Sequence, residues 1–289
     1  MKYPIVTFAV CAYNEEKLIK NCINHIRNLD YPNKEIIVGS DGNDGTSTIA
    51  KAMGVKVIVA NERIGKTEML MRIMKEAKGE IIIINDVEFL LFPNYVVYDI
   101  AKVFENKKVG GLSFGTSMMA EHDYATWWKF VESVIQNIFA YYKCSKSPVK
   151  NLKEANFLVI SNAFRKSMVG KLTTLNDDAE ISYQLLSKGK YVVYAPHISF
   201  YSPGGAASNM GDNIKQKTRT TIGWIQLSKK YNLNFTNFYL YSLWLFFKLG
   251  ISLAFWVFMY GFSFIKGRLL YMFGKHSAKQ VWNKFERDV

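Results

Sequence analysis

The stretch EIIIINDVE at residues 80–88 places four consecutive isoleucines directly before two acidic residues, Asp86 and Glu88. A short continuous apolar run is typical of a β-strand covered on both faces, as in parallel α/β sheets. In open α/β sheets, ligands bind at the carboxyl ends of the strands. The stretch therefore predicts a buried strand whose two acids lie at a binding edge.

Strand-like and helix-like segments alternate through the first 120 residues. The predicted strands are residues 5–11, 35–39, 55–60 and 80–85, and the predicted helices are residues 15–29, 66–77 and a segment that is capped by Thr46 or Ser47 and ends at Gly54. Farther along, helices are predicted at 124–142 and 179–188, strands at 157–161 and 191–194, and a loop at 201–211. The alternation predicts an α/β fold with a doubly wound, mostly parallel central sheet and flanking helices.

Polar residues follow each of the first four predicted strands. These clusters are Tyr13-Asn14-Glu15, Ser40-Asp41-Gly42, Asn61-Glu62-Arg63 and Asn85-Asp86-Val87-Glu88. Any one of them could be an ordinary polar loop, but four in succession at the same edge of a sheet predict a binding crevice.

Asp86 and Glu88 lie two residues apart, so in an extended loop their side chains point to the same side. Two such carboxylates suit a hard divalent cation that also binds phosphate oxygens. The alternative interpretation is an acidic turn without a ligand. Arg63 and Lys66 add two cations at a predicted helix start, where anions bind favourably, although they could equally be solvated there.

A third acidic cluster, Asn176-Asp177-Asp178-Ala179-Glu180, precedes the predicted helix at 179–188. It could serve only to cap that helix and to place negative charge at its N-terminus. It could also supply a general base that takes a proton from an acceptor hydroxyl. Adjacent acids disfavour each other's ionisation, which raises a carboxyl pKa toward a useful range.

In their order and spacing these clusters resemble family 2 glycosyltransferases, which have the GT-A fold. The matching segments run from Val6 to about Gly223, and they are Ala12-Tyr13-Asn14-Glu15, Ser40-Asp41-Gly42-Asn43-Asp44-Gly45-Thr46, Arg63-Ile64-Gly65-Lys66, Asp86-Val87-Glu88 at the place of the metal-binding DXD, Asp177-Asp178, and Gln216-Lys217-Thr218-Arg219. The resemblance implies an enzyme that transfers a sugar from a nucleotide-diphosphate donor with inversion at the anomeric carbon.

The resemblance also implies a role for each matching residue. Donor-binding residues would be Ala12, Tyr13, Asn14, Glu15, Asp41, Arg63, Lys66, Asp86, Gln216 and Arg219. Within that set the Ala12–Glu15 loop and Asp41 would contact the nucleobase, with UDP preferred to GDP. Asp86 and Glu88 would hold Mg²⁺ or Mn²⁺, and Asp178 would be the catalytic base, with Asp177 as the alternative.

Two positions depart from the family pattern. The second acid of the metal motif is Glu88, and Arg219 is followed by Thr220 where many synthases have Trp. The second departure favours transfer of one or a few sugars over processive polymerisation. Two other functions remain open, namely a sugar-1-phosphate nucleotidyltransferase and a non-catalytic binding module. The first usually has a Gly-rich, basic loop after the first strand, but residues 11–16 contain no Gly, Lys or Arg.

The last quarter of the chain combines positive charge with apolar sequence. Residues 213–289 carry twelve Lys and Arg against two acids, and residues 238–265 contain only one charge, Lys248. Basic flanks around an apolar run favour anionic lipid over nucleic acid as the partner. We therefore predict a catalytic domain at residues 1–211 and a membrane-associated region with hydrophobic helices at 212–289, as a single span or as re-entrant or in-plane helices. The alternative interpretation of the apolar run is a pair of helices buried in the core. The expected acceptor is lipid-linked or a membrane-proximal glycan, at the cytoplasmic face.

Overall fold

The computed structural model describes residues 3–117, 162–201, 210–232, 251–275 and 277. Its elements are β1 (Val6–Ala12), α1 (Ile19–Asn28), β2 (Lys34–Ser40), α2 (Thr46–Ala52), β3 (Lys56–Val59), α3 (Lys66–Glu76), β4 (Ile81–Ile84), β5 (Leu90–Phe92), α4 (Val96–Val103), β6 (Val109–Ser117), β7 (Ala163–Arg165), a 3₁₀ turn (Lys166–Met168), α5 (Asp177–Ser187), β8 (Tyr191–Tyr201), α6 (Met210–Tyr231) and α7 (Ile251–Met272). The segments predicted at 124–142 and 157–161, most of the loop at 201–211, and residues 238–250 lie outside the described residues.

The described strands form one eight-stranded sheet in the order β3-β2-β1-β4-β7-β6-β8-β5. Strands β1 to β4 pair in parallel, as predicted. Strand β7 is antiparallel to both β4 and β6, and β5 is antiparallel to β8, whereas β6 and β8 pair in parallel. Three of the seven strand pairs among the described residues are therefore antiparallel, and the sheet is more mixed than predicted. The difference arises because the second half of the sheet is built by long-range pairing, which the local apolar pattern does not reveal.

The predicted elements of the first half lie within a few residues of those observed, with one clear shift. Helix α1 begins at Ile19 rather than at residue 15, because residues 15–18 form a turn in which the Glu15 carbonyl accepts from the N–H groups of Leu18 and Ile19. In the second half, β8 continues to Tyr201, beyond the strand predicted at 191–194. The sequence pattern predicts neither β5 nor α4.

The four isoleucines of β4 are all buried, as the sequence predicts. Ile81 and Ile83 pack into the core layer that contains α1 and α4, whereas Ile82 and Ile84 pack into the opposite layer with α3 and α5. Because fully burying an Ile side chain contributes roughly 1.5–3 kcal/mol, this strand anchors both layers. The turn that follows it is thereby fixed at the carboxyl edge of the sheet.

The loops after β1 and β2 are joined through Thr46, which is fully buried. Its Oγ1 accepts the Glu15 N–H at 2.7 Å and donates to Asp44 Oδ1. Nearby, Asn14 adopts a φ of 55° and its Oδ1 accepts the Asn43 N–H. The predicted capping role of Thr46 or Ser47 is therefore wrong: Gly45 is the N-cap residue of α2, and the Thr46 hydroxyl bonds across to the other loop.

Helices α6 and α7 pack closely at Gly267. A Cβ at that position would lie 2.8 Å from Thr221 Cβ and 3.2 Å from the Thr218 carbonyl oxygen. None of the helices in the described ranges is long and apolar enough to cross a membrane, so the predicted C-terminal membrane helices are not shown. The predicted division at residue 211 falls inside α6.

Replacing Thr46 with valine should destabilise the protein by about 1–3 kcal/mol, because the buried Glu15 N–H loses its acceptor. Urea unfolding followed by circular dichroism measures the change. Thr48→Val, at an exposed position on the same helix, is the matched control and should stay within about 0.5 kcal/mol of the wild type. Equal stability of Thr46→Val and the wild type would show that the hydroxyl does not join the loops.

Candidate functional site

The candidate site lies at the carboxyl edge of β1 to β4, where the four predicted polar clusters follow the strands. Asp41 holds two of these loops together. Its Oδ2 accepts the N–H groups of Ile64 at 3.0 Å and Gly65 at 2.7 Å. Gly65, the N-cap residue of α3, has a φ of 86°, a conformation that a side chain rarely allows. The Asp41 carboxylate therefore fixes the start of α3 and the direction of Lys66.

Tyr13 and Arg63 form a second link between these loops. The Arg63 guanidinium carbon lies 4.1 Å from the centre of the Tyr13 ring, within the range of a cation–π interaction. Both residues are half-buried. A planar aromatic surface beside a cation is chemically suited to a nucleotide, which has both a base and phosphates.

Lys66 connects the edge of the sheet to α5. Its Nζ lies 2.7 Å from Asp86 Oδ1 and 3.9 Å from Asp177 Oδ2, and its side chain is 27% exposed. Burial alone would lower the pKa of this ammonium, but the carboxylates of Asp86 and Asp177 outweigh it and raise that pKa above its ordinary value. Lys66 is therefore charged and neutralises part of the acidic cluster.

The turn that carries Asp86 and Glu88 is shaped by Asn85, whose side chain is buried. The Asn85 Nδ2 donates to the carbonyl oxygens of Asp86 at 2.9 Å and Phe89 at 3.1 Å. The Phe89 N–H also bonds to the Asp86 carbonyl, so this segment is a turn rather than the extended loop that was predicted. Asn85 follows the isoleucine run directly, and that position is the sequence signal for its role.

Glu88 lies two residues beyond Asp86 in this turn and acts on the pKa of a neighbouring thiol. Burial and then the charge of Glu88 raise the pKa of Cys22, on α1, to about 12. Within the described ranges, no three acidic, cysteine or histidine side chains form a ready-made metal site. The metal-binding role of Glu88 stays a prediction.

Asp177 and Asp178 occupy the first turn of α5 rather than the segment before it, and Asn176 is the N-cap residue. Asp177 is buried, and within the part of the chain that the structure describes its Oδ2 has no hydrogen-bond partner. Burial and then the negative charge of Asp177 raise the pKa of Asp178 to about 6, although Lys66 and Arg219 act in the opposite direction. This places the ionisation of Asp178 just below neutral pH.

The two predicted donor-binding residues on α6 differ in their relation to this cluster. The effect of Arg219 on the pKa of Asp178 shows that its charge is close to the acids. Gln216 lies three residues earlier on the same helix and is half-buried, and its carbonyl accepts from Thr220 Oγ1. No sequence pattern points to Thr67, whose hydroxyl donates to the Thr174 carbonyl at 2.7 Å and connects α3 to the segment before Asp177.

The residues around Lys66 fit a divalent cation that binds together with a phosphate-bearing ligand. Asp86 and Asp177 present oxygen atoms to the same ammonium, and one of those oxygens is buried without a hydrogen bond from the described residues. Mg²⁺ in nucleotide sites is commonly held by one or two carboxylates, with phosphates and water completing its coordination.

Comparison with known proteins identifies the family. The model of glycosyl transferase family 2 matches residues 7–165, more than half of the 289-residue chain. The chain therefore belongs to glycosyl transferase family 2 and is an enzyme of that family, as the resemblance predicts. A poly-β-1,6-N-acetyl-D-glucosamine synthase from Staphylococcus epidermidis is 26% identical over 113 residues, which cover 37% of this chain and 27% of the synthase. The match thus spans just over a quarter of that protein's length.

Solved structures share the fold at low sequence identity. The mannosyltransferase PcManGT from Pyrobaculum calidifontis, in complex with GDP-Man and Mn²⁺, has a TM-score of 0.66 at 15% identity, covering 95% of this chain and 89% of that one. Glucosyl-3-phosphoglycerate synthase from Mycobacterium tuberculosis, with Mn²⁺ and UDP, has a TM-score of 0.54 at 14% identity, covering 80% and 81%. TarS 1-349 from S. aureus, with UDP-GlcNAc, has a TM-score of 0.52 at 13% identity, covering 76% and 66%. The fold is a mixed α/β sheet of the GT-A type with flanking helices.

Asp178→Asn should stabilise the protein by about 1–3 kcal/mol at pH 8, because it removes a carboxylate that is costly to ionise in the folded state. The pKa of Asp178 is about 6 in the folded protein and about 3.9 in the unfolded chain. The free-energy cost of ionising it in the folded state therefore develops between about pH 3.9 and pH 6 and persists at higher pH. Thermal unfolding at pH 4 and pH 8 measures it, with the exposed Asp30→Asn as control. A gain of the same size at both pH values would contradict the raised pKa.

Proposed function

We propose that this glycosyltransferase moves a sugar from a nucleotide-diphosphate donor to a lipid-linked or membrane-proximal glycan acceptor, with inversion at the anomeric carbon. The observation that carries the proposal is the position of Lys66 between Asp86 and Asp177 at the carboxyl edge of the sheet. This arrangement brings a cation, two carboxylates and the high-pKa carboxyl of Asp178 to one place. The anionic leaving group needs a cation, and the hydroxyl nucleophile needs a carboxylate that accepts its proton.

In the proposed donor site, the nucleobase lies against the Ala12–Glu15 loop and near Asp41, and the diphosphate lies toward Arg63 and Lys66. The Tyr13–Arg63 stack and the hydrogen bonds of Asp41 to the α3 start support this placement. UDP is the preferred nucleotide, in keeping with the UDP-GlcNAc and UDP complexes of two structural neighbours. The GDP-Man complex of the mannosyltransferase makes GDP the alternative to test.

Asp86, together with Glu88, would hold Mg²⁺ or Mn²⁺, and Mn²⁺ is present in two of the neighbouring structures. When bound, such a cation supplies positive charge that offsets the charge of the departing diphosphate. Lys66 supplies part of the same stabilisation from the chain itself, since an ammonium close to phosphate forms charge-assisted hydrogen bonds.

Asp178 is the proposed base, with Asp177 as the alternative. With a pKa of about 6, Asp178 is mostly ionised at neutral pH and still basic enough to accept a proton. The acceptor hydroxyl transfers its proton to this carboxylate while its oxygen forms the new bond to the anomeric carbon. The bond from that carbon to the nucleotide diphosphate breaks on the opposite face, which inverts the configuration, by analogy with inverting glycosidases.

Thr220 supports transfer of one or a few sugars rather than processive polymerisation. It follows Arg219 at the position where many processive synthases of the family have Trp. Gln216 and Arg219 are proposed to face the donor from α6. The charge of Arg219 near Asp178 supports this for the arginine.

Release of nucleotide diphosphate from a panel of UDP- and GDP-sugars, with Mn²⁺ and membrane extract as acceptor source, tests the proposal. We expect turnover to stop in EDTA and to return with Mn²⁺ or Mg²⁺. Asp86→Asn should weaken donor binding and turnover together, whereas Asp178→Asn should bind donor normally and lose roughly 10²-fold or more in rate. Asp99→Asn, on α4, is the control.

Full activity in EDTA would remove the metal from the mechanism. Normal transfer by Asp178→Asn combined with loss in Asp177→Asn would move the base to the neighbouring residue. No nucleotide release with any donor would favour a non-catalytic binding module.

We further propose attachment to a membrane, with the catalytic domain on the cytoplasmic face, through the outer side of α7. Phe262, Ile265, Leu269 and Met272 are 48–79% exposed and follow one another at intervals of three, four and three residues, which places them along one stripe of the helix. Phe273 extends the stripe and is 78% exposed. Such a stripe suits a helix that lies in the lipid interface.

The charges beside this stripe favour an anionic lipid surface. Lys266 and Arg268 are exposed, and at 100° per residue they fall on opposite sides of the stripe. Lys229, at the end of α6, is also exposed. Cations that flank an apolar stripe can bind lipid headgroups while the apolar side chains enter the boundary.

The protein should therefore float with vesicles that contain phosphatidylglycerol and bind phosphatidylcholine vesicles less well. Ile265→Ser/Met272→Ser should reduce flotation at least tenfold at high salt, where the screened charges contribute little. Tyr95→Ser, which removes an exposed aromatic side chain at the N-cap of α4, is the control. Unchanged flotation of the double variant, or a dimer that the double variant abolishes, would assign this face to another partner.

A further inference from the structure

Glu180 is a fully buried acid two residues beyond Asp178. Its Oε2 accepts the backbone N–H groups of Thr173 and Thr174, each at 2.8 Å. The carboxylate therefore turns back onto the segment that precedes α5, which we call the entry segment (residues 173–176). A buried carboxylate is costly unless its charge is compensated.

Lys230, in the last turn of α6, supplies that compensation. Its Nζ forms an ion pair with Glu180 Oε1 and a 2.9 Å hydrogen bond with Thr173 Oγ1. The Lys230 side chain is 34% exposed, whereas Glu180 is fully enclosed. The pair thus joins the surface end of α6 to the interior of the entry segment.

The same side of α6 holds the entry segment at three more positions. The Leu175 N–H donates to Gln226 Oε1 at 2.9 Å, and Asn176 Nδ2 donates to the Thr220 carbonyl at 3.0 Å. At Gly223 the two backbones come so close that a Cβ would lie 2.5 Å from Asn176 Oδ1. Residues 220, 223, 226 and 230 share one face of a helix. This face of α6 therefore contacts the entry segment from Thr173 to Asn176.

We propose that Glu180 and Lys230 are positioning residues that hold the entry segment against α6 and so aim Asp177 and Asp178 at the reacting groups. The proposal rests on the proposed function in one respect, namely that Asp178 accepts the proton. Neither Glu180 nor Lys230 is proposed to touch the substrate. Small displacements of a catalytic group cost rate steeply, so loosening the segment lowers the transfer rate while the donor loops remain intact.

Hydrogen exchange at the two backbone N–H groups that bond to Glu180 measures directly how firmly the entry segment is held. Hydrogen exchange at Thr173 and Thr174 should accelerate at least tenfold in Glu180→Gln and in Lys230→Met, because the ion pair is lost in both. Lys230→Arg keeps a cation in place and should retain most of the protection. Lys215→Met is the matched control, since it removes an exposed lysine from the same helix.

Kinetics in detergent separate positioning from general destabilisation. We expect kcat to fall roughly tenfold or more in Glu180→Gln and Lys230→Met, with the donor KM within about twofold of the wild type, and to recover in Lys230→Arg. The double variant Glu180→Gln/Lys230→Met should lose less than the product of the two single losses, because both disrupt one contact.

Unchanged hydrogen exchange at Thr173 and Thr174 in Glu180→Gln and Lys230→Met would overturn the proposal that this pair holds the entry segment. Accelerated exchange with wild-type kcat would show that the pair is structural only, and a parallel rise in donor KM would show that it acts on the whole site. If the wild-type protein transferred no sugar, the proposed function would fail, and the exchange data would still decide whether this pair holds the segment.

Discussion

The site depends on one charged contact, the ammonium of Lys66 between the carboxylates of Asp86 and Asp177. Those two acids come from parts of the chain that are far apart in sequence, and Asp178 adds a third carboxyl beside them. Without a cation the three groups would repel one another at the edge of the sheet. The contact exists because Asp41 fixes the first residues of α3, which direct the lysine toward the acids.

Local sequence predicts the first half of the fold because its four parallel strands alternate with helices along the chain. The four isoleucines of β4 illustrate this, since a short uninterrupted apolar run is typical of a strand buried on both faces. In the second half of the fold, local sequence patterns do not predict which strands pair. Strand β7 consists of three residues, Ala163–Arg165, and becomes a strand only because β4 and β6 lie on either side of it.

The candidate site shows a similar division. Asp86 could be located from its position after an apolar run and Asp177 from its position before a predicted helix, and both do come together with Lys66. The direction of each side chain could not be predicted from the sequence, because it depends on hydrogen bonds between distant segments. Asn85 converts an expected extended loop into a turn, and Glu180 uses both its oxygens to hold backbone and Lys230 rather than to extend the acidic surface.

Helix α6, which contains the predicted division at residue 211, contacts two parts of the molecule. One face of the helix holds the segment before α5 through Gln226 and Lys230. Elsewhere it packs on α7 at Gly267. A helix that touches both the acid-bearing segment and the C-terminal region makes their positions interdependent.

The late arrival of β7 affects the order in which the nascent chain can fold. Strands β1 to β4 can pair as soon as they leave the ribosome, but the second edge of β4 stays open until Ala163 has been made. That wait covers roughly 80 residues, or about 4–16 s at ordinary rates of synthesis. During it an isoleucine-rich strand edge is exposed, and such edges invite pairing with other chains. Production of the protein should therefore be sensitive to chaperone supply and to the speed of translation between β4 and β7.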